Sequence, residues 1–437
     1  MSLKDDFQTF ISNLEPNNMD EMETTVGEMA KKLNSYYYNL TGDKTSHMYI
    51  VGSVGRGTSI KGASDLDIIF DLPSSKYKQY DEYESNGQSA LLQEVKTVLK
   101  TRYTNTDISG DGQVVVIKFK KYTVELVPGF KQCDDSFKYP DTNDGGCWKI
   151  TKPLAEIDES KNTIDDTDYN FKYIANMLRS WKNKQGFKIG GLLIDTLTYN
   201  FLNSNTEYRN IEFDNYLDMT KELFNYLKGL NKEQSYWYAL GSNQKVYNCD
   251  NGKFITKAKK AYKKIENLTK ESLSVNKKLR EVFGAQFPKK TTLVEERNFY
   301  SNTEEFIEDM FQIDIKYDLN IDCKVTQDGF RPTLLSIILE NTMFLKPKKR
   351  LEFFIDNIDD NINGSYDIYW KVKNEGEVAK ERNCIRGQII KHITDKIYES
   401  TDFKGEHYVE CYIVQNNICV ARDRIDVPIS NYEYIMA

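Results

Sequence analysis

The sequence predicts an α/β sheet domain, then a helical lobe, then an all-β domain. Three observations carry that expectation. Short apolar runs with strand character lie between residues 48 and 127, behind a helical pattern; from Asp168 onward the apolar spacing becomes helical; and beyond residue 312 it is strand-like again. The length of 437 residues agrees, because chains beyond about 250–300 residues usually divide into separate cores.

Residues 18–40 read as a helix, since Met19, Met22, Val26, Met29, Leu33 and Tyr36–Tyr37 recur at threes and fours behind acidic first turns. Met48–Val51 is a short apolar stretch, and the loop after it holds Gly52, Gly55 and Gly57. Asp65–Leu72 alternates, with Leu66, Ile68 and Phe70 on one face and Asp65, Asp67 and Asp71 on the other. Gln113–Phe119 and Tyr122–Val127 read as two further strands, and the Lys120-Lys121 gap between them suggests a hairpin.

Asp168 is positioned to cap a helix bearing Phe171, Ile174, Ala175, Leu178 and Trp181, which stops near Gly186. A second apolar helix starts after Gly190-Gly191. A third, from Phe254 to about Phe283, sets Ile255, Ala258, Ala261 and Ile265 against Lys257, Lys260 and Lys264. Residues 251–300 hold 13 basic and 5 acidic residues, while 301–330 hold 2 and 8, and this swing marks a border near 300–312. Strand-like runs follow at Ile313–Val325, Leu351–Asn357, Tyr366–Lys373, Tyr408–Val414 and Ile418–Val427, with turns at Asn374-Glu375-Gly376 and Asn416-Asn417. The expected domains are residues 1–165, 166–300 and 312–437, the last a β-sandwich.

Composition narrows the chemistry. Fifty-nine basic residues against 66 acidic ones give a net charge of −7, which excludes a chain-wide basic coat for duplex nucleic acid. The lysine face of 257–264 would suit a nucleic-acid activator, although charged helix faces are ordinarily solvated. Seven cysteines without a C-x-x-C pair indicate neither a zinc site nor a disulfide framework. With no secretory leader pattern and no run of 18 apolar residues, the chain reads as soluble and cytoplasmic, without a membrane partner. The longest apolar stretch, Ile189–Leu202, is interrupted by Asp195, Thr196, Thr198 and Asn200. Only His47, His392 and His407 are available, so carboxylates, hydroxyls and bound metal are left to carry the chemistry.

The stretch that does so is Val51-Gly52-Ser53-Val54-Gly55-Arg56-Gly57-Thr58, followed by Ser64-Asp65-Leu66-Asp67. On an extended strand Asp65 and Asp67 share a face, about 6.5–7 Å apart, where two carboxylates can share hard divalent cations. The glycine lets phosphate approach the backbone, and the serine offers a hydroxyl and an N–H. Glu125 adds a third acid on the polar face of a later strand. Tyr236-Trp237-Tyr238 could stack a base and Asn243 or Gln244 could read its edge, but Trp237 fits a core position better.

A Gly-Ser followed by D-h-D and an acid on a neighbouring strand resembles the DNA-polymerase-β-like nucleotidyltransferase superfamily. Gly57-Thr58, Glu125-Leu126-Val127-Pro128 and Leu178-Arg179-Ser180-Trp181-Lys182 make the chain similar, over about residues 15–285, to the CD-NTases. These are bacterial relatives of cyclic GMP–AMP synthase and 2′-5′-oligoadenylate synthetase. Tyr369–Gly376 and Arg386-Gly387-Gln388 are similar to the adenylyl/guanylyl-cyclase-and-SMODS C-terminal sensor (AGS-C), which accompanies CD-NTases in some anti-phage CBASS operons.

The resemblance implies a fold with a polymerase-β-like sheet domain and an oligoadenylate-synthetase-like helical lobe completing the cleft. It implies a synthase joining NTPs, ATP among them, into a cyclic second messenger that acts on a downstream effector. Asp65, Asp67 and Glu125 would hold two Mg²⁺ ions, or Mn²⁺ in their place. Gly52, Ser53 and Thr58 would contact the nucleotide, and Lys182 would reach donor phosphate, with Arg179 as its rival. Two features depart from the family: its third acid is more often aspartate, and Gly190-Gly191 stands where relatives tend to carry a Ser-aromatic pair. The alternatives are a transferase making linear oligonucleotides or nucleotidylating RNA or protein, and a catalytically weak nucleotide-binding sensor.

Overall fold

The computed structural model describes residues 2–62, 64–289, 304–327, 331–341, 345–374, 377–381, 385–401 and 404–430. Glu375 and Gly376 of one expected turn, and residues 290–303 at the expected domain border, lie outside them. The chain forms two compact units, residues 1–180 with 189–270 and residues 181–188 with 271–437.

In the first unit, helices α1 (Leu3–Leu14) and α2 (Met19–Tyr37) precede strand β1 (Met48–Ile50), the short turn α3 (Gly52–Gly55) and strand β2 (Asp65–Asp71). Helices α4 (Ser74–Asp81) and α5 (Gly87–Lys100) lead to β3 (Asp107–Asp111), β4 (Val114–Lys118), β5 (Thr123–Lys131), β6 (Phe137–Asp141) and β7 (Cys147–Thr151). The sheet runs β1-β2-β5-β4-β3, with β6 pairing β5 and β7. β2 and β5 are parallel; β4 and β5 form the expected hairpin, with Lys118 opposite Thr123. The alternation read from β2 holds: Leu66, Ile68 and Phe70 are buried beneath α2 and α5 with Val115, Ile117, Val124 and Leu126. From α2 come Met22, Val26, Met29 and Leu33, and from α5 come Leu91, Leu92, Val95, Val98 and Leu99. One face of the sheet therefore carries this core, while the other carries the acids and, further along the strands, a smaller apolar cluster of Val51, Ile69, Phe137 and Ile157.

The lobe comprises α6 (Pro153–Asp166), α7 (Asn170–Gln185), α8 (Gly191–Ser204), α9 (Tyr216–Lys228), the hairpin β8 (Tyr236–Tyr238) with β9 (Lys245–Tyr247), and α10 (Lys253–Ile265). Asp168 does not cap α7: it sits at φ 45°, and Thr167 Oγ1 accepts the Phe171 N–H instead, at 3.1 Å. The expected long helix to Phe283 is two helices, α10 and α11 (Val275–Phe283). Its gap, Glu266–Ser274, contains Asn267, Thr269, Ser272 and Ser274, whose side chains compete for backbone hydrogen bonds. α11 falls in the second unit, as do the last residues of α7 from Trp181 onward.

The second unit holds two sheets. One runs β10 (Gln312–Ile313), β18 (Ile418–Ile429), β17 (Gly405–Gln415), β14 (Asp367–Lys373), β15 (Arg386–His392). The other runs β12 (Thr333–Leu334), β11 (Leu319–Thr326), β13 (Arg350–Ile358), β16 (Lys396–Ser400). They share one core, in which Ile321, Cys323, Leu351 and Phe353 from one sheet meet Trp370, Val409, Cys411 and Val420 from the other. This is the expected sandwich. Asn416 and Asn417, at φ 52° and 63°, make its last turn, as I′ geometry requires.

An ion cluster is buried in the same unit. Glu410 accepts from Arg422 at 3.1 Å, with Lys184 and Lys371 each at 3.5 Å. Arg422 also holds Glu308 at 2.8 Å, while Lys371 and Lys373 hold Glu304 at 2.9 and 3.2 Å. Burial alone would raise the acids, but the cations outweigh it: Glu410 is held well below the ordinary carboxylate range, and Glu304 is pushed down to about 2. Burial pushes Lys184 down, against Glu410.

Candidate active site

The site is built on the edge between β2 and β5. In their parallel register Asp65 lies opposite Thr123 and Asp67 opposite Glu125. Adjacent strands are about 4.8 Å apart, and paired residues point to the same face, so the three acids share one side of the sheet. Asp65, Asp67 and Glu125 are half-buried, while their neighbours Leu66, Val124 and Leu126 face the core. Asp67 also anchors the glycine loop, since its carbonyl accepts the Val51 N–H at 2.9 Å.

That loop explains its first glycine. Gly52 has φ 62°, and a Cβ there would lie 1.8 Å from Asp67 Oδ2. No side chain fits, so the loop backbone comes directly against the carboxylate. Ser53 is half-buried beside it. The loop closes on itself: Arg56 N–H donates to Gly52 O at 3.1 Å and Thr58 N–H to Ser53 O at 2.9 Å.

The donor set suits a hard cation. Three carboxylates on one polar face, half-open to solvent beside a loop without side-chain bulk, offer oxygen ligands and room for a phosphate. Among the described residues, no three His, Cys, Asp or Glu side chains form a ready-made cage. Magnesium commonly binds through one or two carboxylates plus substrate phosphates rather than in an all-protein cage, so the arrangement fits it.

Three other expected nucleotide contacts are engaged elsewhere. Thr58 is fully buried, its hydroxyl donating to Asp195 Oδ2 at 2.9 Å. Arg179, 7% exposed, forks onto Asp195 with contacts of 2.7 and 3.0 Å. Both side chains thus turn inward onto the same buried carboxylate. Lys182 lies in the C-terminal unit, its ammonium 4.0 Å from Asp314. Trp237 is buried against Phe254, as a core residue. Gln244 donates to the backbone carbonyl of Ile150 at 3.1 Å and accepts the N–H of Lys152 at 2.8 Å.

Sequence reasoning missed the carboxylate around which this arrangement turns. Asp195, in α8, is fully buried and receives Arg56 Nε at 2.8 Å as well as Thr58 and Arg179. Burial would raise it, but Arg179 and Arg56 hold it below its ordinary value. Glu156, 3.8 Å from Arg56 and accepting from Ser242 at 2.9 Å, is instead raised by burial. The signal was an acid interrupting an apolar helix.

Two domain families match the chain. Residues 1–163 match the Second Messenger Oligonucleotide or Dinucleotide Synthetase (SMODS) domain, and residues 301–430 the Adenylyl/Guanylyl and SMODS C-terminal sensor domain. Comparison with curated proteins gives no match. Among solved structures, CdnC of E. coli MS115-1 with ATP is 16% identical, covering 66% of this chain and 99% of its own, with a TM-score of 0.50. The CdnC:HORMA-deltaN complex of the same strain is 15% identical over 65% of this chain and 98% of its own, at TM-score 0.49. CdnE c-UMP-AMP synthase of Rhodothermus marinus is 13% identical over 61% and 98%, at 0.45. The likeness to ATP-bound CdnC is one of fold. Among the described residues no helix is long and apolar enough to cross a membrane.

Proposed function

The chain belongs to the SMODS-type CD-NTases that carry a C-terminal AGS-C sensor domain, and from that premise we propose that it is a Mg²⁺-dependent synthase joining NTPs into a cyclic oligonucleotide messenger for anti-phage defence. The observation that carries the reading is the register of Asp67 against Glu125, with Gly52 closed upon Asp67.

Asp65, Asp67 and Glu125 would hold two Mg²⁺ ions, with Mn²⁺ as a substitute. Bound there, the cations would lower the pKa of the attacking hydroxyl and neutralise the leaving pyrophosphate. The protein's part is placement. The Gly52–Ser53 backbone and the Ser53 hydroxyl receive the donor's β- and γ-phosphates, turning its α-phosphate toward the acids. The acceptor ribose hydroxyl attacks that α-phosphate, one P–O bond forms as the bond to pyrophosphate breaks, and the hydroxyl proton leaves to solvent or a carboxylate. A second attack, by the free ribose hydroxyl of the linear product on its own remaining α-phosphate, expels a second pyrophosphate and closes the ring. Its substrates are NTPs, ATP among them, and its partner is an effector reached through the product. AGS-C is the domain that would receive the regulating signal.

Purified protein incubated with labelled NTPs and Mg²⁺ tests this. A phosphatase-resistant product is expected; a phosphatase-sensitive one would mean a linear chain, and no product a nucleotide sensor. Asp67→Asn should cut product formation by at least about a hundredfold, since a metal-borne charge is worth several kcal/mol.

A further inference from the structure

The glycine loop has two halves with different neighbours. Gly52 lies against Asp67 on the sheet. Arg56 and Thr58 face the lobe, where helices α6, α7 and α8 all hold them. From α8, Asp195 accepts from Arg56 Nε at 2.8 Å and Thr58 Oγ1 at 2.9 Å. From α7, Arg179 donates to Thr58 Oγ1 at 3.1 Å, and the Asn176 amide, nitrogen inward, donates to Thr58 O at 2.9 Å. From α6, Ser160 Oγ donates to the carbonyl of Arg56 at 2.7 Å.

These held residues are the ones that hold the phosphate grip. Arg56 N–H binds the carbonyl of Gly52, and Thr58 N–H binds that of Ser53. Each of the two grip residues is thus one hydrogen bond from a residue anchored on Asp195. We propose that Asp195, with Arg56 and Arg179, is a positioning centre that fixes Gly52 and Ser53 relative to the acids of β2 and β5. The inference rests on reading those acids as the nucleotidyltransferase site.

Plain stabilisation would not call for this construction. Buried ion pairs can often be replaced by apolar residues of like volume without loss, because desolvation offsets their attraction. A planar guanidinium fork on a carboxylate supplies direction instead, fixing both distance and angle. In-line displacement rewards such direction, and a misplacement of about 1 Å can cost about a hundredfold in rate. Asp195, fully buried, acts through the loop and touches no substrate.

The test compares Asp195→Asn and Thr58→Val with the native chain, all three corrected for folded fraction by circular dichroism. Binding of α,β-methylene-ATP is measured alongside steady-state product formation. For Asp195→Asn, kcat is expected to fall about a hundredfold while analogue affinity falls no more than about tenfold. A merely structural residue would leave both unchanged per folded molecule, and that result would overturn the proposal. Thr58→Val, which loses one hydroxyl, is expected to lose about tenfold in kcat; should Asp195→Asn not fold, an undiminished kcat in Thr58→Val would overturn it. Asp67→Asn separates the two ideas. Loss of product there with full activity in Asp195→Asn defeats only the positioning role, whereas full activity in Asp67→Asn defeats the site and, with it, this inference.

Discussion

Two buried carboxylates organise the two units, and they do so differently. Asp195 gathers Arg56, Thr58 and Arg179, all on or beside one loop, and with Glu156 the two acids equal the two guanidiniums. Glu410 gathers Lys184, Lys371 and Arg422 from a helix end and two strands, inside a wider set with Glu304, Glu308 and Lys373. Helix α7 supplies a cation to each, Arg179 to one and Lys184 to the other. The guanidinium fork on Asp195 sets the angle of a loop, whereas around Glu410 two ammoniums join Arg422 as point charges that fix which strands and helix meet. A buried ion can thus serve geometry or registry, and the chemistry of its partners says which.

Breaking the second cluster should have the largest thermodynamic effect. Glu410→Gln takes a carboxylate from three buried cations, leaving Arg422 to Glu308 and Lys371 to Glu304 but Lys184 without its buried counter-charge, and is expected to cost about 3–5 kcal/mol in urea denaturation. A loss of kcat per folded molecule as large as that in Asp195→Asn would erase the distinction drawn above.

Acid should separate the clusters next. Glu304, Glu308 and Glu410 are all held below their ordinary value of 4.5 by neighbouring cations, despite burial. A carboxylate depressed on folding stabilises the fold above its unfolded pKa and loses that contribution as pH falls toward its folded one, here from 4.5 toward about 2 for Glu304. Around Asp195 the depressed acid is partly offset by Glu156, which burial raises and which therefore favours folding once protonated. Hydrogen exchange in that window should show peptides of β17 and β18 losing protection before those of α8. The opposite order would contradict the assignment.

Arg179→Lys keeps the charge and loses the fork; a stability loss of about 1.5–3 kcal/mol is expected, with kcat reduced more than binding of nucleotide analogue. Lys182→Met should do least, under about 1 kcal/mol, because its pairing with Asp314 is long, at 4.0 Å. A tenfold fall in NTP affinity there would return Lys182 to the phosphate.

What the sequence disclosed follows from what periodicity can carry. Strand β2 was legible because its alternation separates Leu66, Ile68 and Phe70 from the acids, and the pairing then put Glu125 opposite Asp67. Helix α5 is written just as plainly in Leu91, Leu92, Val95, Val98 and Leu99, although it has no bearing on the motif that drew attention. Thr58 and Arg179 belong to the right motifs, but a motif does not say which way a side chain turns. Their partner, Asp195, lies 137 residues from Thr58 and 16 from Arg179, a juxtaposition only the fold creates. The domain border inferred from charge near 300–312 differs from the division at Lys270 because charge marks surface composition, whereas compactness follows packing.

The equality of charge around Asp195 has a further consequence. Two guanidiniums and two carboxylates sealed together project little net field toward an arriving polyanion, and being enclosed they are scarcely screened by ions in solution. Raising ionic strength should therefore leave the loop as firmly seated as before.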